Sequence, residues 1–123
     1  MAKKIDPILA SVFQRRFKSI TEEMGLTLLR TTRSPILNEA RDFVTGLYTP
    51  EGRMLEQTEY IPVLAFAIQP ACQYIVEYFG DDIHPGDVIL HNDVFTGGNQ
   101  NADVAVFKPI FHEDVLVAWA VCK

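Results

Sequence analysis

Between Ile5 and Leu28 the apolar residues recur in steps of three and four, at Ile5, Ile8, Leu9, Val12, Phe13, Phe17, Ile20, Met24 and Leu28. That period collects them into one stripe along a helix. Asp6-Pro7 supplies a start, a capping carboxylate followed by proline at the first helical position. Arg30 and Arg33 fall near the far end, where the helix dipole favours cations, and Ser34-Pro35 stops the run. A helix over residues 7–32 would be ~39 Å long at 1.5 Å per residue. Gly25 in its interior costs ~1 kcal/mol against alanine, so a close packing contact is expected there. So long a stripe needs a large surface to cover it.

The 123 residues allow one unit, and 48% apolar content excludes disorder. No stretch approaches the ~20 apolar residues of a membrane-spanning helix, and no apolar segment follows Lys3-Lys4 as a secretory signal requires. Cys72 and Cys122 lie far apart with no C-x-x-C, which fits buried thiols in a reducing, cytoplasmic compartment. Residues 1–41 hold eight basic side chains against four acids, whereas residues 42–123 hold three against twelve. The acidic remainder would repel phosphate, which argues against nucleic acid. The basic segment reads as a solvated helix face or as a docking helix for an acidic partner.

Two strand signals follow, at 43–48 and 53–58, joined by Thr49-Pro50-Glu51-Gly52 in the pattern of a type I turn. A second helical stripe contains Leu64, Ile68, Ala71, Cys72, Ile75, Val76 and Phe79. Pro70 places its start near Ala67, because proline is tolerated only in the first turn. Gly80-Asp81-Asp82 ends it, and His84-Pro85-Gly86-Asp87 makes a turn. Three apolar runs remain, at 88–90, 104–107 and 115–122, with residues 112–114 as a hairpin connection. The last run barely alternates and reads as a central strand buried on both faces.

Polar residues concentrate at 91–103, in a loop leaving a buried strand, where a scaffold can fix side chains that stay accessible. Asp93 and Asp103 are the candidate catalytic residues, able to orient a base or bind a hard cation. Gly97-Gly98 would let backbone amides approach an anion. The bland reading is an ordinary turn, since Asn, Asp and Gly are turn residues. His91 reads as a satisfied core or loop histidine. Glu39, Arg41 and Asp42 form a charged knot, read first as a salt-bridged corner and second as a site wall where Arg41 meets phosphate or carboxylate.

The segment Asn92-Asp93-Val94-Phe95-Thr96-Gly97-Gly98-Asn99-Gln100-Asn101-Ala102-Asp103 resembles the N-D-P-[YF]-x-G-G-x-H-x-x-D signature of the hydantoinase B family, which includes subunits of acetone and acetophenone carboxylases and half of 5-oxoprolinases. Ile20-Thr21-Glu22-Glu23-Met24-Gly25, Glu39-Ala40-Arg41-Asp42-Phe43, Pro85-Gly86-Asp87-Val88, Lys108-Pro109-Ile110-Phe111 and Val117-Ala118-Trp119-Ala120 resemble the family's flanking segments in the same order. The resemblance implies the N-terminal portion of a B-type subunit several times this length, in a hetero-oligomer with a hydantoinase A-like subunit. That partner would use ATP and Mg to phosphorylate a ketone enol or an amide oxygen.

Two departures bear on the chemistry. Val94 stands for the signature proline, and Gln100 for its histidine. In metal-holding relatives the implied ligands are that histidine, the aspartate three residues on and a later histidine. Asp103 keeps the aspartate, but Gln100 offers a neutral amide oxygen, a poor exchange for a transition metal. A divalent metal held through Asp103 is therefore disfavoured.

The expected architecture is α+β, a long N-terminal helix and a second helix on a mixed or antiparallel sheet, residues 1–123 forming one unit that other chain segments complete. Asn92, Gly97, Gly98, Gln100 and Arg41 are the candidate substrate-binding residues. The leading functional expectation is a part of an ATP-dependent ketone carboxylase, inactive alone. Loss of the signature histidine leans the reading that way. ATP-dependent hydrolysis of a cyclic amide and a noncatalytic structural subunit are the alternatives.

Overall fold

The computed structural model describes residues 4–58, 60 and 62–123, with backbone alone at 62 and 63. Residues 1–3, which include Lys3 of the basic segment, lie outside them. In chain order the elements are α1 (Pro7–Thr31), α2 (Pro35–Asn38), β1 (Thr45–Tyr48), β2 (Met54–Gln57), α3 (Pro62–Phe79), β3 (Ile89–His91), a 3-10 turn (Val94–Thr96), β4 (Ala105–His112) and β5 (Val115–Cys122). The strands form one open sheet in the order β2-β1-β5-β4-β3. Every neighbouring pair is antiparallel.

Local chemistry sets the element ends. Asp6 accepts from the Ile8 N–H at 2.9 Å and starts α1. Gly80, at φ +53°, ends α3 while its N–H bonds the Val76 carbonyl. The β4–β5 hairpin turns at Glu113 and Asp114, φ +47° and +61°, the two positive values of a type I′ turn. His112 therefore belongs to β4 and not to the connection. The Thr49–Gly52 turn closes through Gly52 N–H to the Thr49 carbonyl at 2.9 Å.

Strand alternation gives the sheet two unlike faces. On one, Tyr48, Ala105, Phe107, Trp119 and Val121 meet Leu64, Ala65, Ile68, Ala71, Cys72 and Ile75 of α3 in the main core. On the other, α1 crosses β1 and β2. Thr45 Oγ1 donates to the Thr21 carbonyl at 2.8 Å, and the Thr45 N–H donates to Thr58 Oγ1 at 2.9 Å. The first bond fastens α1 to β1, and the second ties β1 to the residue that follows β2.

The structure corrects several expectations. α3 begins at Pro62, more than a turn before Ala67, and carries Pro70 inside it. Proline there costs a helical bond, yet the helix continues because Leu64, Ala65 and Ile68 bury against the sheet. Ser34-Pro35 ends α1 but opens the short α2, proline serving as its first residue. β5 is central, but only Trp119 and Val121 are buried. Val115 and Val117 are exposed, and the opposite face is half-buried. The stripe of α1 is covered only near Thr21 and Gly25. Ile5 and Ile8 remain 77% exposed and Val12 52%. Among the described residues no ion pair forms at Glu39, Arg41 or Asp42, because Arg41, at φ +53°, lays its guanidinium 5.7 Å over the Tyr60 ring.

Gly25 is buried where expected, but a Cβ added there would meet Phe43 at 3.5 Å and Thr45 Oγ1 at 3.6 Å, ordinary contact distances. Gly25→Ala is therefore expected to raise stability by ~0.5–1 kcal/mol through helix propensity. Thermal unfolding checks this, and a loss of stability contradicts the stated clearance.

Candidate functional site

The signature loop spans residues 92–103 and is closed by the pairing of His91 with Ala105. Asp93 organises its first half. Its Oδ1 accepts from the Phe95 N–H at 2.9 Å, and its carbonyl accepts from Gly98 N–H at 2.9 Å and Thr96 N–H at 3.3 Å. Gly97 sits at φ +110°, its Cα so close to α3 that an added Cβ would lie 2.6 Å from the Ala71 nitrogen. A Cβ on Gly98 would lie 2.8 Å from the Asp93 carbonyl oxygen. Both glycines thus permit close approach of backbone to backbone, and the Gly98 amide is already engaged.

The accessible polar groups lie at the loop's first residue, Asn92, and in its second half. Asn92 donates through Nδ2 to the Asn101 carbonyl at 2.7 Å. Asn99 Nδ2 donates to Asp103 Oδ2 at 3.0 Å, which aims that carboxylate. Asn99 Oδ1 is buried and has no hydrogen-bond partner among the described residues. Gln100 is exposed, and its carbonyl accepts from the Asp103 N–H at 3.1 Å. Lys123 lies near enough for the Asp103 carboxylate to raise its pKa, although burial outweighs this and lowers it. The backbone of Lys123 pairs with Val44, extending the ladder from β5 to the loop's rim.

His91 is buried beneath the loop, its ring edge-on to Phe107 at 6.4 Å and tilted against Tyr74 at 6.3 Å. Its Nε2 lies 2.8 Å from Thr96 Oγ1. Burial holds its pKa down, with Asp93 opposing and Lys123 assisting, so the imidazole is neutral at pH 7. Burial pushes the Cys72 thiol up to about 12, which makes it an inert packing group.

The loop thus gathers Asn92, Asp93, Gly97, Gly98, Gln100 and Asp103. Arg41 is not joined to it. Tyr60, under its guanidinium, lies tilted against Phe43 with ring centroids 5.1 Å apart on the α1 side of the sheet, whereas the loop packs on α3. Asn99 and Lys123 escaped the sequence reading. The pairing of Val106 with Cys122 brings residue 123 toward the loop's end, a register no local pattern encodes. Among the described residues no three His, Cys, Asp or Glu side chains converge on an ion site. With Asp93 capping the 3-10 turn, Asp103 engaged by Asn99 and only an exposed amide at Gln100, the residues do not fit a transition metal.

An antiparallel α+β scaffold that presents a glycine-locked polar loop beside a half-covered sheet face defines the class. Its sequence profile matches that of the family described as hydantoinase B/oxoprolinase over residues 6–123, and the chain belongs to that family. It is 37% identical over 119 residues to caprolactamase subunit beta of Pseudomonas jessenii, covering 97% of this chain and 20% of the relative. It is 36% identical to a 5-oxoprolinase of Dictyostelium discoideum, covering 98% of this chain and 10% of that one. The crystal structure of the ATP-dependent caprolactamase from Pseudomonas jessenii superposes with a TM-score of 0.88, at 36% identity over 98% of this chain and 21% of the other. Nucleotide-free acetone carboxylase shares the fold, with a TM-score of 0.86 at 23% identity, covering 95% of this chain and 16% of the other. The chain therefore spans about a fifth or less of the relatives it matches here. No helix among the described residues is long and apolar enough to cross a membrane.

Proposed function

We propose that this chain is the N-terminal portion of a B-type subunit in an ATP-dependent hetero-oligomer that hydrolyses a cyclic amide, with the loop 92–103 forming part of the site wall. The observation that carries this reading is the likeness at 36–37% identity to a caprolactamase subunit and a 5-oxoprolinase, against 23% for the acetone carboxylase structure. A hydantoinase A-like partner would handle ATP and Mg. The exposed apolar stripe of α1 and the half-covered sheet face suit completion by the remaining part of the subunit.

The chemistry explains the need for ATP. A lactam carbonyl resists water, and phosphorylation of its oxygen turns that oxygen into a leaving group. Asp103, aimed by Asn99, takes a proton from the water that adds to the activated carbon. The tetrahedral carbon then expels the ring nitrogen, which takes a proton as its C–N bond breaks, and a second water hydrolyses the resulting acyl phosphate to carboxylate and inorganic phosphate. Asn92 and Gln100 offer amides to the substrate, and Gly97 and Gly98 keep the wall thin. Asp93 serves as the cap of the 3-10 turn. Arg41, held over Tyr60, stays outside this reading.

Asp103→Asn in the assembled complex is expected to lower lactam-dependent ATP turnover at least ~100-fold, the usual scale for a lost general base. Unchanged turnover in both Asp103→Asn and Asp93→Ala supports a structural subunit instead. Carboxylation of a ketone is the second reading, favoured by Gln100 in place of the signature histidine. Incorporation of labelled bicarbonate into an acid-stable product, without amide cleavage, would establish it.

A further inference from the structure

We infer that His91 is a positioning residue: its buried imidazole, bonded to the Thr96 hydroxyl, fixes the turn that anchors the loop carrying Asn92, Gln100 and Asp103. This rests on the reading of loop 92–103 as a site wall.

His91 stands on β3, an edge strand of only three residues. Its backbone closes the loop by pairing with Ala105, while its side chain turns into the core face with 9% exposure. Phe107 and Tyr74 confine the ring, so few rotations remain to it. An aliphatic residue would fill that position without desolvating two nitrogens. The imidazole recovers its desolvation cost only through a hydrogen bond.

That bond runs to Thr96 Oγ1 at 2.8 Å. Thr96 Oγ1 lies 3.4 Å from the Asp93 carbonyl, to which it donates. With the hydroxyl proton so directed, Nε2 of the neutral ring is the donor to Thr96. The chain His91 to Thr96 to Asp93 ends on the carbonyl that also holds Gly98 N–H at 2.9 Å and Thr96 N–H at 3.3 Å. Thr96 is thereby pinned by the sheet, and Gly97 beside it is pinned by α3. Two adjacent residues held from two elements fix where the following segment, Gly98 to Asp103, begins.

The test uses the full subunit in its complex and reads amide hydrogen exchange at residues 93–98. His91→Phe keeps an aromatic ring and removes the bond. Thr96→Val, at a half-buried site, removes it from the other side with little risk to folding. Each is expected to speed exchange in the loop ~10-fold, the equivalent of one net hydrogen bond, with α3 unchanged. The double variant should be no faster than either single one. His91→Gln, which returns an N–H donor, should recover part of the protection. In the wild type the ring should show the Nε2–H tautomer by 15N NMR. Unchanged loop exchange in Thr96→Val, or additive effects in the double variant, overturns the proposal. Where the reading of the site also holds, kcat falls in Thr96→Val while KM stays near its original value. Faster exchange with unaltered kcat leaves His91 as the loop's anchor and removes the loop from the chemistry instead.

Discussion

Gly97→Ala is expected to be the most damaging methyl group that can be added to this chain. The new Cβ would lie 2.6 Å from the Ala71 nitrogen, 2.9 Å from its Cα and 2.9 Å from the Pro70 carbonyl carbon. All three are backbone atoms in the middle of α3, so no side chain can swing aside. The residue also holds φ +110°, where an L side chain is strained. A loss of ~3 kcal/mol or more is expected, and the loop must lift from α3 to relieve the contact. Gly86→Ala is the control. It shares a positive φ, +95°, but has nothing within 4 Å of its added Cβ. Backbone strain alone should then cost ~1–2 kcal/mol. Denaturant titration of both variants separates the terms, and equal losses would mean that the contact with α3 contributes nothing.

Trp119→Ala is expected to follow, with a loss of ~3–5 kcal/mol. Trp119 is fully buried in β5, the middle strand, opposite Tyr48 on β1 and Pro109 on β4. Its indole N–H donates to the Pro50 carbonyl at 3.3 Å, so the side chain ties the first hairpin to the sheet centre. Trp119→Phe keeps most of the buried area and should cost only ~1–2 kcal/mol. Circular dichroism is the probe to use, because Trp119 is the only tryptophan and its fluorescence disappears in both variants. A loss below ~1.5 kcal/mol in Trp119→Ala would show that the centre of the sheet collapses around the vacancy.

These two residues show how differently the parts of the molecule could be read. Trp119 lies in an apolar run whose strand limits, Val115–Cys122, follow from composition alone. Gly97 is legible as a turn residue, but nothing near it in the chain announces a helix backbone pressed against it. Pro70 misled for the same reason. Read locally it bars a helix before Ala67, whereas burial of Leu64, Ala65 and Ile68 outweighs one missing bond. The charged knot at Glu39, Arg41 and Asp42 suggested ion pairs, but a positive φ at Arg41 sends its guanidinium to Tyr60.

By itself the sequence determined α1 and its cap, the apolar stripe of α3, the turns and the polar loop, along with the motifs that mark the family. Each of those depends on hydrogen bonds and torsions within a few neighbouring residues. Only the tertiary structure decided the strand order, the half-covered face of the sheet, the bond from His91 to Thr96 and the aim of Asp103. Those features come from burial and pairing between residues far apart in the chain, where many arrangements share one local pattern and their summed packing free energies select among them.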